Sequence, residues 1–181
     1  MKKLLLLALT SFALTTASSF GDALMFAVKS TPYDGQMSRI RPIIASAKDS
    51  GESHVSLNVV NSWMADLRSI PYGFTQAWKT PAETESGAPA DCKAKAVDLY
   101  EKMTSRGAKN VRLVIGRRTP TSRCTHAWLS WETNEGTFLL DPTFNYSAAK
   151  TAQIGDRNYV PLYAYAGNRK FRAASGLVAQ N

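Results

Sequence analysis

The octapeptide ADCKAKAV, residues 90–97, marks the point where a loop rich in Gly, Pro and Ala gives way to a helical pattern. Asp91 is the predicted helix cap, and the apolar residues that follow at helical spacing can face a core until Gly107 ends the helix. Cys92 then lies on the first turn, where unpaired backbone N–H groups and the helix dipole favour a thiolate. The same N–H groups could hold an oxyanion, so the pattern indicates a cysteine nucleophile.

Two short strands with a turn between them follow further along the chain. THAWLSW (125–131) and TFLLDP (137–142) have strand patterns, and the Asn-Glu-Gly between them has hairpin turn chemistry. Since His126 and Asp141 lie at comparable distances from that turn, antiparallel pairing would set them roughly opposite each other. His126 could then take the thiol proton of Cys92 while Asp141 fixes the imidazole tautomer. The alternative is that Cys92 starts a helix by chance and His126 is an ordinary strand-end residue.

The N-terminus has the pattern of an export signal. A basic start precedes an apolar stretch over residues 4–14, and small residues follow it. We predict a signal peptide over residues 1–23, cleaved at about 17–23, with an uncleaved anchor as the alternative. Residues 24–181 then form one domain, long enough for a real core and without a membrane-spanning run. The predicted location of the processed protein is periplasmic or secreted.

Basic residues exceed acidic ones, and the formal net charge is +8. Part of the excess is local, because no acidic residue interrupts the basic residues between Lys102 and Arg123. Such a run could attract acidic substrates, but we favour a solvated helix face and loop rim. Aromatic residues are not interleaved with the bases as they are in nucleic-acid-binding chains, so we predict no nucleic-acid partner.

The chain contains two cysteines, and an exported protein would normally join them in a disulfide. Cys124 lies two residues before His126, so on a regular strand both side chains would point to the same face. A reversible Cys92–Cys124 disulfide that switches the site off is one hypothesis. The alternative that we favour makes Cys124 a small core residue at the start of the strand. No second His or Cys accompanies His54 at metal spacing, so we predict no metal site.

The remaining pattern predicts an α+β fold. Apolar residues at helical spacing predict a helix over residues 55–70, and residues 111–116 alternate as a half-buried strand should. Residues 159–165 predict a last strand, in which Pro161 favours an edge position because proline cannot donate to a strand ladder. The chain after Lys170 has the pattern of a frayed tail.

Short motifs follow one another along the chain. They are VN-x-W (60–63), IPY (70–72), W-x-TP-x-E (78–83), Gly87, DCK (91–93), VRLVIG (111–116), HAW (126–128) and LDPT (140–143). Their order and spacing resemble those of the bacterial transglutaminase-like cysteine proteinases, and the last two resemble the His and Asp motifs of the broader transglutaminase core. The resemblance spans about residues 55–165. It implies a papain-like, transglutaminase-like α+β fold, with the nucleophile at a helix N-terminus packed on an antiparallel sheet that carries His and Asp. It also implies Cys92, His126 and Asp141 as the catalytic triad.

Two positions depart from the pattern of that family. Members with a calcium site carry acidic residues directly after the cysteine, where this chain has Lys93 and Ala94. Because hard cations prefer carboxylate oxygens, we expect no calcium dependence. Ala90 replaces the usual glycine before the Asp-Cys pair, which changes how this loop would approach a substrate.

The leading hypothesis is an exported thiol hydrolase, since the resemblance favours hydrolysis and the N-terminus favours export, and we predict no cofactor. It would cleave an amide bond in a protein or peptide substrate of the cell envelope through a Cys92 acyl-enzyme. Trp78 and Trp128 are candidate substrate-binding residues. One alternative is a transglutaminase-type acyl transferase, which would use the same triad to crosslink a glutamine side chain to an amine. The other is a non-catalytic cell-envelope binding domain with a Cys92–Cys124 disulfide.

Overall fold

The computed structural model describes residues 18–20, 23–46, 55–155 and 158–174. Its helices are α1 (Arg41–Ala45), α2 (Leu57–Ser69), α3 (Pro81–Glu85) and α4 (Cys92–Ser105). Its strands are β1 (Ser18–Phe20), β2 (Ala23–Ala27), β3 (Val111–Arg117), β4 (His126–Thr133), β5 (Gly136–Leu140), β6 (Ala149–Lys150), β7 (Val160–Ala166) and β8 (Arg169–Ala173). A short 3-10 helix covers Thr151–Gln153. The predicted signal peptide lies mostly outside the described residues.

The strands form one antiparallel sheet in the order β1-β2-β8-β7-β3-β4-β5-β6. The predicted hairpin is confirmed, since β4 pairs with β5 and Thr133 faces Gly136 across the turn. The strand β3 lies between β4 and β7, with Leu113 opposite both Leu129 and Tyr165. The fold is therefore the predicted α+β arrangement of helices with an antiparallel sheet.

Apolar side chains cover both faces of the central strands. The larger core includes side chains from α1, α2 and α4 together with Val111, Leu113 and Ile115 of β3. A smaller cluster gathers alternate side chains of the same strands, among them Val114 and Trp128. Residues 111–116 were predicted to form a half-buried strand, but the smaller cluster buries the second face as well.

The strand β7 and the tail differ from the sequence prediction. Pro161 does not mark an edge strand, because β7 lies between β3 and β8. It pairs with Gly116 where the register shifts, and at such an irregularity a missing N–H donor is tolerated. The chain after Lys170 continues β8 rather than fraying at once, and Phe171 is buried.

The helix α4 is the central helix and packs against the other helices and against β3 and β4. Most of its side chains are buried, including the polar Lys95 and Asp98. This packing fixes the N-terminus of α4 relative to the start of β4. Within the part of the chain that the structure describes, no helix is both long and apolar enough to cross a membrane.

Candidate active site

The N-terminus of α4 presents Cys92 on a firmly capped first turn. The Oδ1 atom of Asp91 accepts the backbone N–H of Ala94 at 3.1 Å, as predicted for a cap. The carboxylate of Asp91 is buried and Cys92 is only 8 % exposed. The nucleophile candidate therefore lies in a protected position beside the positive end of the helix dipole.

His126 and Asp141 form a direct side-chain pair. The Nε2 atom of His126 lies 2.8 Å from Oδ2 of Asp141. The β4–β5 register places Leu129 opposite Leu140, so Asp141 is level with Trp128 and the pair is diagonal rather than directly opposite. Since Nε2 faces Asp141, the other ring nitrogen, Nδ1, is left for the thiol of Cys92.

Asp141 is completely buried and accepts three hydrogen bonds. Besides His126, the hydroxyl of Tyr159 donates to it at 2.8 Å and the N–H of Thr143 at 3.0 Å. Burial alone would raise the pKa of Asp141, but the bond and charge of His126 and the other two donors together lower it. Asp141 is thus ionised, and its carboxylate is held in one orientation beside Nε2 of the imidazole.

The charge of His126 follows from its two neighbours. Burial lowers the pKa of His126, but hydrogen bonds to Asp141 and Cys92 and their negative charges outweigh it and raise the pKa to about 9. The influence of Cys92 on this pKa shows that the thiol and the imidazole are neighbours. The structure therefore brings together all three residues of the predicted triad, with a proton favoured on the imidazole at neutral pH.

Three aromatic rings fix the imidazole plane. Trp128 stacks on His126 with ring centroids 6.1 Å apart and planes inclined by 21°. Phe144 and Tyr159 contact the same ring at centroid distances of 5.3 Å and 6.5 Å. These contacts explain why His126 has one orientation even though it starts its strand.

The predicted substrate-binding tryptophans do not lie at the surface. Trp78 and Trp128 are each 1 % exposed. Trp78 belongs to the helix-side core, and Trp128 fills the opposite cluster behind His126. Their burial leaves no indole surface for a substrate, and Trp128 contacts a residue of the site, His126.

The loop before α3 carries the aromatic surface that sequence reasoning missed. The carbonyl of Pro71 accepts the N–H of Ala90 at 2.9 Å, and the carbonyl of Ala90 accepts the N–H of Gly73 at 3.4 Å. Tyr72 is thus held beside the residues that lead into Cys92. Burial, followed by the charges of Cys92, Asp91 and Cys124, raises the pKa of Tyr72. Tyr72 and Phe74 are 59 % and 74 % exposed, so they offer apolar surface next to the nucleophile.

Two lysines of α4 fasten this loop. The Nζ atom of Lys93 donates to the carbonyl of Thr75 at 2.9 Å and also to Asp91 Oδ2. The Nζ atom of the buried Lys95 donates to the carbonyl of Ile70 at 2.6 Å. Desolvation and the charge of Arg68 lower the pKa of Lys95. The only sign of these contacts in the sequence is that two lysines alternate with alanines at the start of the helix.

The residues around Cys92 do not fit a calcium site. The ammonium of Lys93 lies on the carboxylate of Asp91, so a divalent cation would meet a fixed positive charge there. Among residues 18–20, 23–46, 55–155 and 158–174, no group of three or more His, Cys, Asp or Glu side chains could hold a metal ion. Hard cations need several such oxygen ligands.

Cys124 differs from the prediction that we favoured. It lies in a bend before β4 and is exposed, so it is not a small core residue at the start of the strand. The structure has Cys92 and Cys124 as free thiols. Both cysteines contribute to the raised pKa of Tyr72, Cys124 least. A reversible bridge between the two cysteines stays a prediction.

Comparisons with known proteins support the class of fold. No protein-family model matches the chain, and curated proteins give no match. Solved structures do match. The EGTA-treated form of LapG from Legionella pneumophila has 17 % sequence identity and a TM-score of 0.55, over 81 % of this chain and 80 % of LapG. The calcium-bound form of LapG has 17 % identity and a TM-score of 0.55, over 82 % and 86 %. At this identity the likeness establishes the fold, which is papain-like and transglutaminase-like.

Proposed function

We propose that the chain is a thiol hydrolase that cleaves an amide bond in a protein or peptide substrate. The observation that carries the proposal is the buried His126–Asp141 pair, with Cys92 beside the imidazole on the first turn of α4. A cysteine, a base and a group that orients the base are the parts that thiol acyl chemistry requires. The resemblance to the transglutaminase-like cysteine proteinases and the shared fold support the same activity.

The proposed reaction proceeds in two halves. The Cys92 thiolate attacks the carbonyl carbon, and the N–H groups of the first turn of α4 stabilise the oxyanion. His126 gives its proton to the departing amine as the C–N bond breaks, which leaves a thioester on Cys92. Water then attacks the thioester while His126 takes the water proton. The C–S bond breaks, and Asp141 stays ionised throughout.

We propose that the substrate is a protein or peptide of the cell envelope and that the enzyme is periplasmic or secreted. The leader-like residues 1–23 support export. The exposed rings of Tyr72 and Phe74 support a peptide substrate, because extended peptides bind along apolar surface beside a nucleophile. No cofactor takes part in the proposed reaction.

Cleavage can be tested on proteins extracted from the cell envelope. We expect the wild-type protein to generate new protein N-termini, detected by mass spectrometry, and Cys92→Ser to generate none because it lacks the thiolate. Lys109→Gln, an exposed change after the C-terminal end of α4, is the control and should cut like the wild type. If a labelled primary amine becomes attached to glutamine side chains instead, the acyl transferase alternative is the correct one.

Calcium chelation should have almost no effect. Since Lys93 supplies a fixed positive charge beside Asp91, removing divalent cations with EGTA takes nothing from the site. The melting temperature and the rate at which iodoacetamide modifies Cys92 should both change by less than the error of measurement. A large loss on chelation that calcium reverses would refute this expectation.

A further inference from the structure

The basic residues between Lys102 and Arg123 differ in their surroundings. Lys102 forms ion pairs with Asp98 and Glu85 along and beside α4. Arg106 lies over the ring of Trp63, 4.7 Å from its centroid. Arg106 is exposed and fits the predicted solvated helix face, whereas Lys102 is half-buried against Asp98. The surroundings of Arg118 are different, because it lies beside His126 rather than on α4.

Arg118 is stacked on an aromatic ring that contacts the imidazole. Its guanidinium carbon is 3.8 Å from the centroid of the Phe144 ring, and the Phe144 ring is 5.3 Å from the ring of His126. The backbone carbonyl of Arg118 accepts the N–H of Tyr159 at 2.8 Å. Tyr159 in turn donates to Asp141. Arg118 is therefore tied to the same framework that positions His126.

Among the residues that the structure describes, no carboxylate forms an ion pair with the guanidinium of Arg118. Within the described ranges, the ion pairs of Asp and Glu residues involve other cations, and Arg118 is exposed. The guanidinium also interacts with the side chain of Tyr159, 5.7 Å from its ring centroid. Since a guanidinium is a planar fork with five N–H donors, it keeps N–H groups that match the two oxygens of a carboxylate. Since Arg118 is exposed, its guanidinium can receive an anion from outside the protein.

The position of Arg118 in the site determines which half of a substrate it would contact. The loop with Tyr72 and Phe74 is fastened to α4, on the side of Cys92. Arg118 and Phe144 are on the side of His126. Because the imidazolium delivers its proton to the departing amine, groups on its side face the leaving half of the substrate.

We propose that Arg118 and Phe144 form a subsite for a carboxylate on the leaving-group side of the scissile bond. The proposal rests on the thiol hydrolase function proposed above. The carboxylate belongs either to an acidic side chain or to the C-terminus of the substrate. The preferred substrates are therefore amides with a negative charge one or two residues after the cleaved bond.

Alkylating reagents test the subsite without a known substrate. In a Cys124→Ser background, Cys92 is treated at pH 6.5 with N-iodoacetyl-β-alanine, which carries a terminal carboxylate, and with the corresponding amide. A second pair, the α-amides of N-iodoacetyl-glutamate and N-iodoacetyl-glutamine, presents a side-chain carboxylate. The measurement is the ratio of second-order rate constants for the acidic and the neutral reagent in each pair.

We expect Arg118→Gln to lower this ratio about fivefold in at least one pair, as loss of an exposed ion pair does. The ratio is the readout because Arg118 contacts Phe144 and Tyr159, so a change in the reactivity of Cys92 itself would affect both reagents of a pair equally. Arg117→Gln, an exposed neighbour whose side chain contacts the carbonyl of Pro120, is the matched control and should keep the wild-type ratio. The reagent pair whose ratio falls shows whether the subsite takes a C-terminal or a side-chain carboxylate.

The proposal is overturned if Arg118→Gln keeps the wild-type ratio in both pairs, or if Arg117→Gln lowers it equally. The attraction of the imidazolium of His126 for anions is common to all these proteins and cancels in the comparison. Failure of the proposed function looks different. In that case Cys92 would react slowly at pH 6.5 with the acidic and the neutral reagents alike.

Discussion

Asp141→Asn is expected to slow iodoacetamide alkylation of Cys92 at pH 7 about thirtyfold, because a thiol without an imidazolium partner is only a few per cent ionised there. The carboxamide would keep the N–H of Thr143 on its oxygen and turn its NH₂ group toward Nε2 of His126. The imidazole would then carry its hydrogen on Nδ1 and could not take the thiol proton. Turnover should fall further, by about a thousandfold or more.

The control for Asp141→Asn is the same chemical change at an exposed position. Asp66→Asn on α2 should alkylate like the wild type, since Asp66 lies at the surface. Circular dichroism should give the same fold for all three proteins. Wild-type alkylation by a folded Asp141→Asn protein would remove Asp141 from the mechanism.

Gly116→Ala is expected to destabilise the protein by at least about 3 kcal/mol, the range of severe overpacking in a core. A Cβ atom at this position would lie 2.2 Å from the carbonyl oxygen of Val160 and 2.5 Å from the ring of Trp128. The carbonyl belongs to the backbone of β7, so β3 and β7 would have to separate. Trp128 would move away from His126, and alkylation of Cys92 should fall with the stability.

Gly35→Ala serves as the matched control for Gly116→Ala. A Cβ atom at Gly35 meets nothing within 4 Å, so its free energy of unfolding should stay within about 0.5 kcal/mol of the wild type. Urea denaturation measures both changes. Equal stabilities for the two variants would mean that the close approach of β3 and β7 at Gly116 is not a constraint.

The parts of the site that depend on neighbours in sequence could be predicted. A helix cap can be predicted from a short polar side chain before a helical pattern, and the structure confirms Asp91 as that cap. His126 and Asp141 flank one hairpin, so their proximity follows from a turn and the alternation of two strands. Helix and hairpin geometry fix these relations within a few residues.

The parts that depend on the order of distant strands could not be predicted. The strand β7 lies inside the sheet because β8 and β2 pair beyond it. The residues around Pro161 give no sign of that pairing. The burial of Trp78 and Trp128 likewise follows from packing against residues remote in sequence. Large aromatic side chains suit a core and a binding surface equally well, so their type does not decide between the two.

The measurement that tests the triad most directly is the pH dependence of the alkylation of Cys92 by iodoacetamide. With the pKa of His126 raised to about 9, the imidazolium persists from pH 6 to pH 8 and is lost only as the pH rises through 9. In a Cys124→Ser background we expect Cys92 to react rapidly at pH 6, with a rate almost constant up to pH 8. A rate that rises about tenfold per pH unit toward pH 8.5, as for a free thiol, would contradict the thiolate–imidazolium pair.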